Sequence, residues 1–199
     1  MVSFFNLAVL AGISAPAAAT AAALSTDPTF ESDGKFHWNF TYSEGIFNFS
    51  LELTAKVNAT AVAWEMFVSG QFQTQLDHVL WYDGESQLDR SSGFWQFYNL
   101  SKPTTNHETV KIDWNYAADD DRTLTFTDNN SESLGMGNCL RYQVAGDDVS
   151  MVFFDVMSSD STQVVVNSAT GAGYIIKPNY NNGEKACWDE TQEDIPCAN

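Results

Sequence analysis

Positive charge is scarce in this chain. Nine lysines and arginines stand against 26 aspartates and glutamates, for a net charge of −17. A field of that sign repels phosphate backbones and anionic membranes, which argues against nucleic acid as a partner. Histidine is nearly absent: His37, His78 and His107 are the whole supply, and none follows Phe126. The three cysteines, Cys139, Cys187 and Cys197, include no pair at zinc-ligand spacing and no histidine beside them, so a structural zinc is not expected. Also missing are a Gly-x-Ser-x-Gly elbow, a His-Glu-x-x-His helix motif, a phosphate loop, an internal repeat and any convincing helical period. Past the first residues no apolar run approaches membrane-span length, and no apolar C-terminal tail calls for a lipid anchor.

What is present begins with an uncharged leader. Residues 2–23 carry no charged side chain; Phe4, Phe5, Leu7, Val9, Leu10 and Ile13 form a short apolar stretch, and an alanine-rich run follows from Ala15 to Ala23. This is the plan of a signal peptide over residues 1–23, too short to span a bilayer. Five Asn-x-Ser/Thr sequons lie behind it, at Asn39, Asn48, Asn58, Asn99 and Asn129. Together they predict a secreted glycoprotein, extracellular or on the cell surface. The remaining length suits one domain over residues 24–177 with a tail over 178–199. An oxidising compartment leads to one disulfide and one leftover thiol. Cys187–Cys197, within the tail, is favoured by proximity; Cys139–Cys187 and Cys139–Cys197 are the alternatives. The leftover thiol leaves a covalent dimer open, and the sequence does not fix the oligomeric state.

The dominant pattern has period two. Phe36, Trp38, Phe40 and Tyr42 alternate with polar residues, and after Ser43-Glu44-Gly45 so do Phe47, Phe49, Leu51 and Leu53. That is an antiparallel hairpin with one wet face, and Asn39 and Asn48 fall on the wet phase. Further strands are predicted at 62–68, 76–82, 94–98, 110–116, 123–127, 139–144, 149–157, 163–166 and 174–176, with turns at Asp83-Gly84, 118–121 and Gly146-Asp147-Asp148. Many short strands with regular turns predict an all-β, antiparallel β-sandwich of roughly nine to eleven strands. The tail from Pro178 reads as irregular and disulfide-tied.

The block from Phe36 to Phe126 resembles a DOMON domain, the β-sandwich named after dopamine β-monooxygenase N-terminal regions. Phe36-His37-Trp38-Asn39-Phe40 resembles its opening aromatic-x-Trp strand, and Ile46 to Leu53 the amphipathic strand that follows. Residues Ala61 to Gly70 occupy the place of its third strand without that strand's usual glycines. Leu76 to Tyr82 resembles the next strand, Leu88-Asp89-Arg90 its Asp-Arg step, and Asp113 to Tyr116 with Leu124 to Thr127 the two after that. The resemblance covers about half the chain and implies an extracellular sandwich that binds haem or sugar. A b-type haem would be held between a Met and a His; Met66 lies in the matching strand, with His78 or His107 the partners this chain could offer, although the family's later His is missing.

Four chemistries compete on these residues. Sugar sites stack CH faces on aromatic rings and read hydroxyls with polar side chains, which singles out Trp81, Trp95 and Trp114 with Asp77, Asp89, Arg90 and Gln96. Each tryptophan also suits a core position. Haem is the alternative cofactor reading; otherwise no cofactor is expected. Asp119-Asp120-Asp121 and Asp147-Asp148 offer oxygen ligands but lack calcium-loop spacing, so solvated turns are expected and no metal. Asp77 with Asp89 could serve a glycosidase, and a Ser/His/Asp triad is spatial, so a small secreted hydrolase remains a third reading. The leading expectation is a non-catalytic module that binds carbohydrate or an extracellular protein.

Overall fold

The computed structural model describes residue 21 and residues 25–44, 47–71, 73–105, 107–118 and 121–197. The predicted leader, Ala21 excepted, lies outside the described residues, as do Gly45 of the first turn and Asp119 and Asp120 of the acidic turn. The chain is all-β. Its strands are β1 (Thr29–Phe30), β2 (Phe36–Glu44), β3 (Phe47–Val57), β4 (Ala61–Gln71), β5 (Gln75–Gln87), β6 (Ser92–Tyr98) and β7 (Glu108–Ala118), then β8 (Asp121–Asp128), β9 (Cys139–Ala145), β10 (Asp148–Asp155), β11 (Asp160–Asn167), β12 (Gly173–Ile176), β13 (Ala186–Trp188) and β14 (Asp194–Ile195). Each is hydrogen-bonded to the next in sequence order, as one 14-stranded sheet. The expectation of nine to eleven strands in a sandwich is corrected in both count and connectivity: the ladder is one continuous meander, and three two- or three-residue strands join at its ends. Short loops explain the order, since neighbours in sequence can close hairpins at little entropic cost.

Two compact units carry this ladder: Met1–Gly84 with Tyr98–Asn106, and Glu85–Phe97 with His107–Asn199. In the first, register sorts the side chains. Trp38 pairs with Leu53 and Leu53 with Met66; Phe40 pairs with Leu51 and Leu51 with Val68. These residues share one face; Phe40 is half-buried and the others are buried, with Leu53 and Met66 at 0 % exposure. Each such side chain contributes about 1.5–3 kcal/mol by leaving water. The alternate residues His37, Asn39, Ser50, Glu52, Thr54, Glu65 and Phe67 share the opposite face. The polar phase predicted for the hairpin is therefore a real face, wet at Asn39 and Asn48, which are exposed, and buried at His37 and Thr54.

The second unit alternates in the same way. Trp114 pairs with Leu124, Leu124 with Tyr142, Tyr142 with Met151, and Met151 with Val164. Asp113, Thr125 and Arg141 line up on the other face. Between β9 and β10, Ala145 pairs with Asp148 across Gly146-Asp147, and Gly146 takes φ +60, as the first position of a tight hairpin turn requires. Two glycines sit under tryptophans. A Cβ on Gly173 would meet the Trp188 ring at 2.5 Å, and one on Gly93 would meet the Trp114 ring at 2.2 Å. The bare backbone lets each indole lie flat across the neighbouring strand.

Two predicted irregularities are ordered instead. Asp83-Gly84 is not a turn but part of β5, which continues to Gln87. The tail from Pro178 forms one 3-10 turn at Asn181–Gly183 and then β13 and β14, which extend the sheet from β12. Cys187 and Cys197 are joined, the pairing within the tail, and Cys139 is free. Backbone pairing explains both differences: a main chain can complete a ladder whatever its side-chain pattern, and the pattern alone does not announce it.

Candidate functional site

A chain of hydrogen-bonded ionisable groups lies on the polar face of the first unit. His37 on β2 is 9 % exposed, and its Nδ1 is 2.7 Å from Glu52 Oε1 on β3. Its Nε2 faces Asp33 Oδ1 at 3.2 Å and Oδ2 at 3.1 Å, in the turn before β2. The second Glu52 oxygen, Oε2, is 2.7 Å from His78 Nε2 on β5. Asp33, His37, Glu52 and His78 thus alternate acid and base across three strands and a turn. Beside them Lys35 pairs with Glu65, and the Thr54 hydroxyl donates to the same Glu65 oxygen at 3.2 Å.

His78 is held in an unusual way. Its φ is +49, a left-handed conformation that is costly for a side chain with a Cβ, of order 1–3 kcal/mol. Its main-chain N–H donates to Ser69 Oγ at 2.9 Å, and its ring stacks on Phe67 with centroids 4.2 Å apart and planes 7° apart. Three contacts, to Ser69, Phe67 and Glu52, hold it in that conformation.

Opposite charges set the protonation. Burial disfavours a charged His37, but the carboxylates of Glu52 and Asp33 outweigh it and raise the His37 pKa above its ordinary 6.5. Burial likewise raises Glu52, and hydrogen bonds from His37 and His78 overcome it, so the carboxyl sits below its ordinary 4.5. Asp33 is lowered chiefly by the Lys35 main-chain N–H, which together with His37 outweighs the opposing effect of desolvation. The arrangement favours an imidazolium between two carboxylates. It can bind and release protons; it offers no assembled nucleophile, because the described hydrogen bonds of the three histidine rings go to carboxylates or to Asn130.

An aromatic pair marks the second unit. Trp95 on β6 and Trp114 on β7 stack with centroids 5.8 Å apart and planes 27° apart, and both are half-buried. Of the sugar-binding candidates, these two are brought together. Gln96 is withdrawn from ligand use: its Nε2 donates to the carbonyls of Phe97 and Val110, and its Oε1 accepts from Asn129. Asp89 and Arg90 occupy the exposed turn after β5, where Arg90 takes φ +63. Trp81 and Asp77 belong to the first unit, on β5; Trp81 is half-buried beside Tyr82, and Asp77 is exposed.

The other candidates fall as follows. Met66 is fully buried on the apolar face, whereas His37 and His78 engage Glu52 on the opposite face, so neither shares a face with it. His107 Nε2 is 2.8 Å from Asn130 Oδ1 in the second unit. Among the described residues no group of three or more His, Cys, Asp or Glu side chains could hold a metal ion. Asp148 Oδ1 accepts from Asn167, and the Asp147 carbonyl accepts from Ser168, so this acidic pair braces a turn. Asp89 is tuned low by the hydroxyl and main-chain N–H of Ser91. That is the reverse of what a glycosidase general acid needs. Among the described residues no helix is long and apolar enough to cross a membrane.

The sequence pattern did not single out the four-residue chain. Its signal was faint: His37 and Glu52 both fall on the polar phase of a predicted hairpin, but only the register puts them in reach. No family model, curated protein or solved structure matches this chain.

Proposed function

We propose that this chain is a secreted, N-glycosylated, all-β, non-catalytic module that binds carbohydrate. The observation that carries this reading is the Trp95–Trp114 pair, two stacked and half-exposed indoles on neighbouring strands. Two rings side by side offer a broad, rigid apolar platform at little entropic cost, the surface that sugar CH faces stack on. Gly93 supports it by letting Trp114 lie against the backbone. Among the described residues the ring beside Trp81 is that of Tyr82, adjacent in the strand and directed to the other face.

The test is a glycan array followed by titration of the best-bound oligosaccharide. Trp95→Ala and Trp114→Ala should each weaken binding by about tenfold or more, the scale of a lost aromatic anchor. Trp81→Ala should leave it within about twofold. An array without any bound glycan, or equal loss in all three variants, would remove the reading.

A further inference from the structure

Large apolar side chains are most exposed at one end of the second unit. Leu134 is 83 % exposed, Met157 68 %, Met136 52 %, and Phe154 and Val156 40 % each. They come from two segments, the β8–β9 connection and the end of β10 with the turn that follows it, and these segments touch. The Val156 main-chain N–H donates to Asn138 Oδ1 at 2.9 Å, a Cβ on Gly137 would lie 3.1 Å from the Val156 side chain, and Phe154 pairs with Cys139. Single exposed apolar residues need no explanation, but five on two adjoining segments mark an interaction surface.

The turns that hold them are tightly braced. Asp128 accepts from the Asn130 N–H and the Ser133 hydroxyl, Ser133 Oγ accepts from the Gly135 N–H, and the Asp128 carbonyl accepts from the Gly137 N–H. In the second turn Asp155 accepts from the Met157 N–H and the Ser158 hydroxyl. A surface fixed before contact loses little freedom on binding.

Charge then selects the occupant. Residues 128–138 and 154–160 contain Asp128, Glu132, Asp155 and Asp160 and neither lysine nor arginine. A second copy of this chain would set the same carboxylates against each other. A membrane with anionic headgroups would be repelled. We infer that this end of the second unit docks a protein segment that is both apolar and basic, with Leu134, Met136 and Met157 entering its apolar side and Glu132 and Asp160 facing its cations.

Fluorescence anisotropy with three synthetic peptides of equal length tests this: one of leucine and lysine, one of leucine and glutamate, one of serine and lysine. The leucine–lysine peptide should bind at least about tenfold tighter than either other. Leu134→Ser with Met157→Ser, and separately Glu132→Lys with Asp160→Lys, should each weaken it by about tenfold. All four positions are exposed, so the fold survives the changes, which circular dichroism verifies. Equal binding of the serine–lysine peptide, or no loss in the Leu134→Ser, Met157→Ser protein, would overturn the proposal. So would flotation with phosphatidylcholine vesicles that the same pair of substitutions abolishes, since that assigns the surface to lipid.

Discussion

His37 holds two carboxylates on one imidazole, and its response to pH follows from that. Its folded pKa is raised, so its contribution to stability is complete below its ordinary value of 6.5 and is lost as pH rises through the higher folded value. Glu52 and Asp33 are lowered, so theirs is complete above their ordinary values of 4.5 and 3.8 and is lost as pH falls through the lower folded ones. The network is therefore strongest between about pH 4.5 and 6.5. Urea denaturation of the wild type and of Glu52→Gln across pH 5–9 should show the wild type ahead by about 1.5–3 kcal/mol near pH 5.5, the worth of hydrogen bonds to charged groups. The gap should narrow as pH climbs. A gap that widens toward pH 9 would refute the imidazolium. None of this was readable from the residues alone. The DOMON resemblance offered Met66 with His78 or His107 as haem ligands, and the face that a residue occupies depends on pairing between strands far apart in sequence.

Among the elements, the alternating strands were the legible ones. The β2–β3 hairpin and β7 follow the period-two pattern because one face is apolar and the other wet, so composition and direction agree. The two- and three-residue strands β1, β13 and β14, too short to show a repeat, were missed. Gly84 looked like a turn residue, yet it lies buried inside β5. The tail looked irregular, yet β13 pairs with β12 and β14 with β13. Its closure rests on the Cys187–Cys197 bond, with a sequence separation of 10. Replacing both cysteines by serine should cost up to about 3 kcal/mol by the loop-closure argument. Because the two strands sit at the end of the ladder, hydrogen exchange should speed up first at 186–188 and 194–195, while β8 to β11 stay protected. Uniform acceleration everywhere, or none in the tail, would contradict a local role.

At the scale of the molecule, the sequons give a map that can be checked. Asn39, Asn48 and Asn58 are exposed, the first two on the face that carries His37 and Glu52. Asn129 differs: its amide nitrogen donates to buried Gln96 at 3.1 Å and to Glu108 at 3.5 Å. A glycan replaces one of the two amide hydrogens, so occupancy there breaks a bond to the framework and leaves a polar group unpaired. Peptide mass spectrometry after deglycosylation in heavy-oxygen water should find Asn39, Asn48 and Asn58 modified and Asn129 largely unmodified. Full occupancy at Asn129 would show that the Gln96 bond is dispensable. The charge of −17 acts at this scale too, because it opposes self-association and gives the braced apolar end a preference for cationic partners.

The sequence by itself determined the β class, the wet and dry phases of the opening hairpin, and the acidic field. Each of these is set by residue type and by the two-residue repeat of a strand, which are local properties. Tertiary structure decided what stands beside what. It joined Trp95 to Trp114. It set Met66 on one face and His37 on the other, and it brought Asp33, His37, Glu52 and His78 into one hydrogen-bonded chain. Register and strand order make those neighbours, and both are fixed by the summed pairing of the whole ladder, which no single segment encodes.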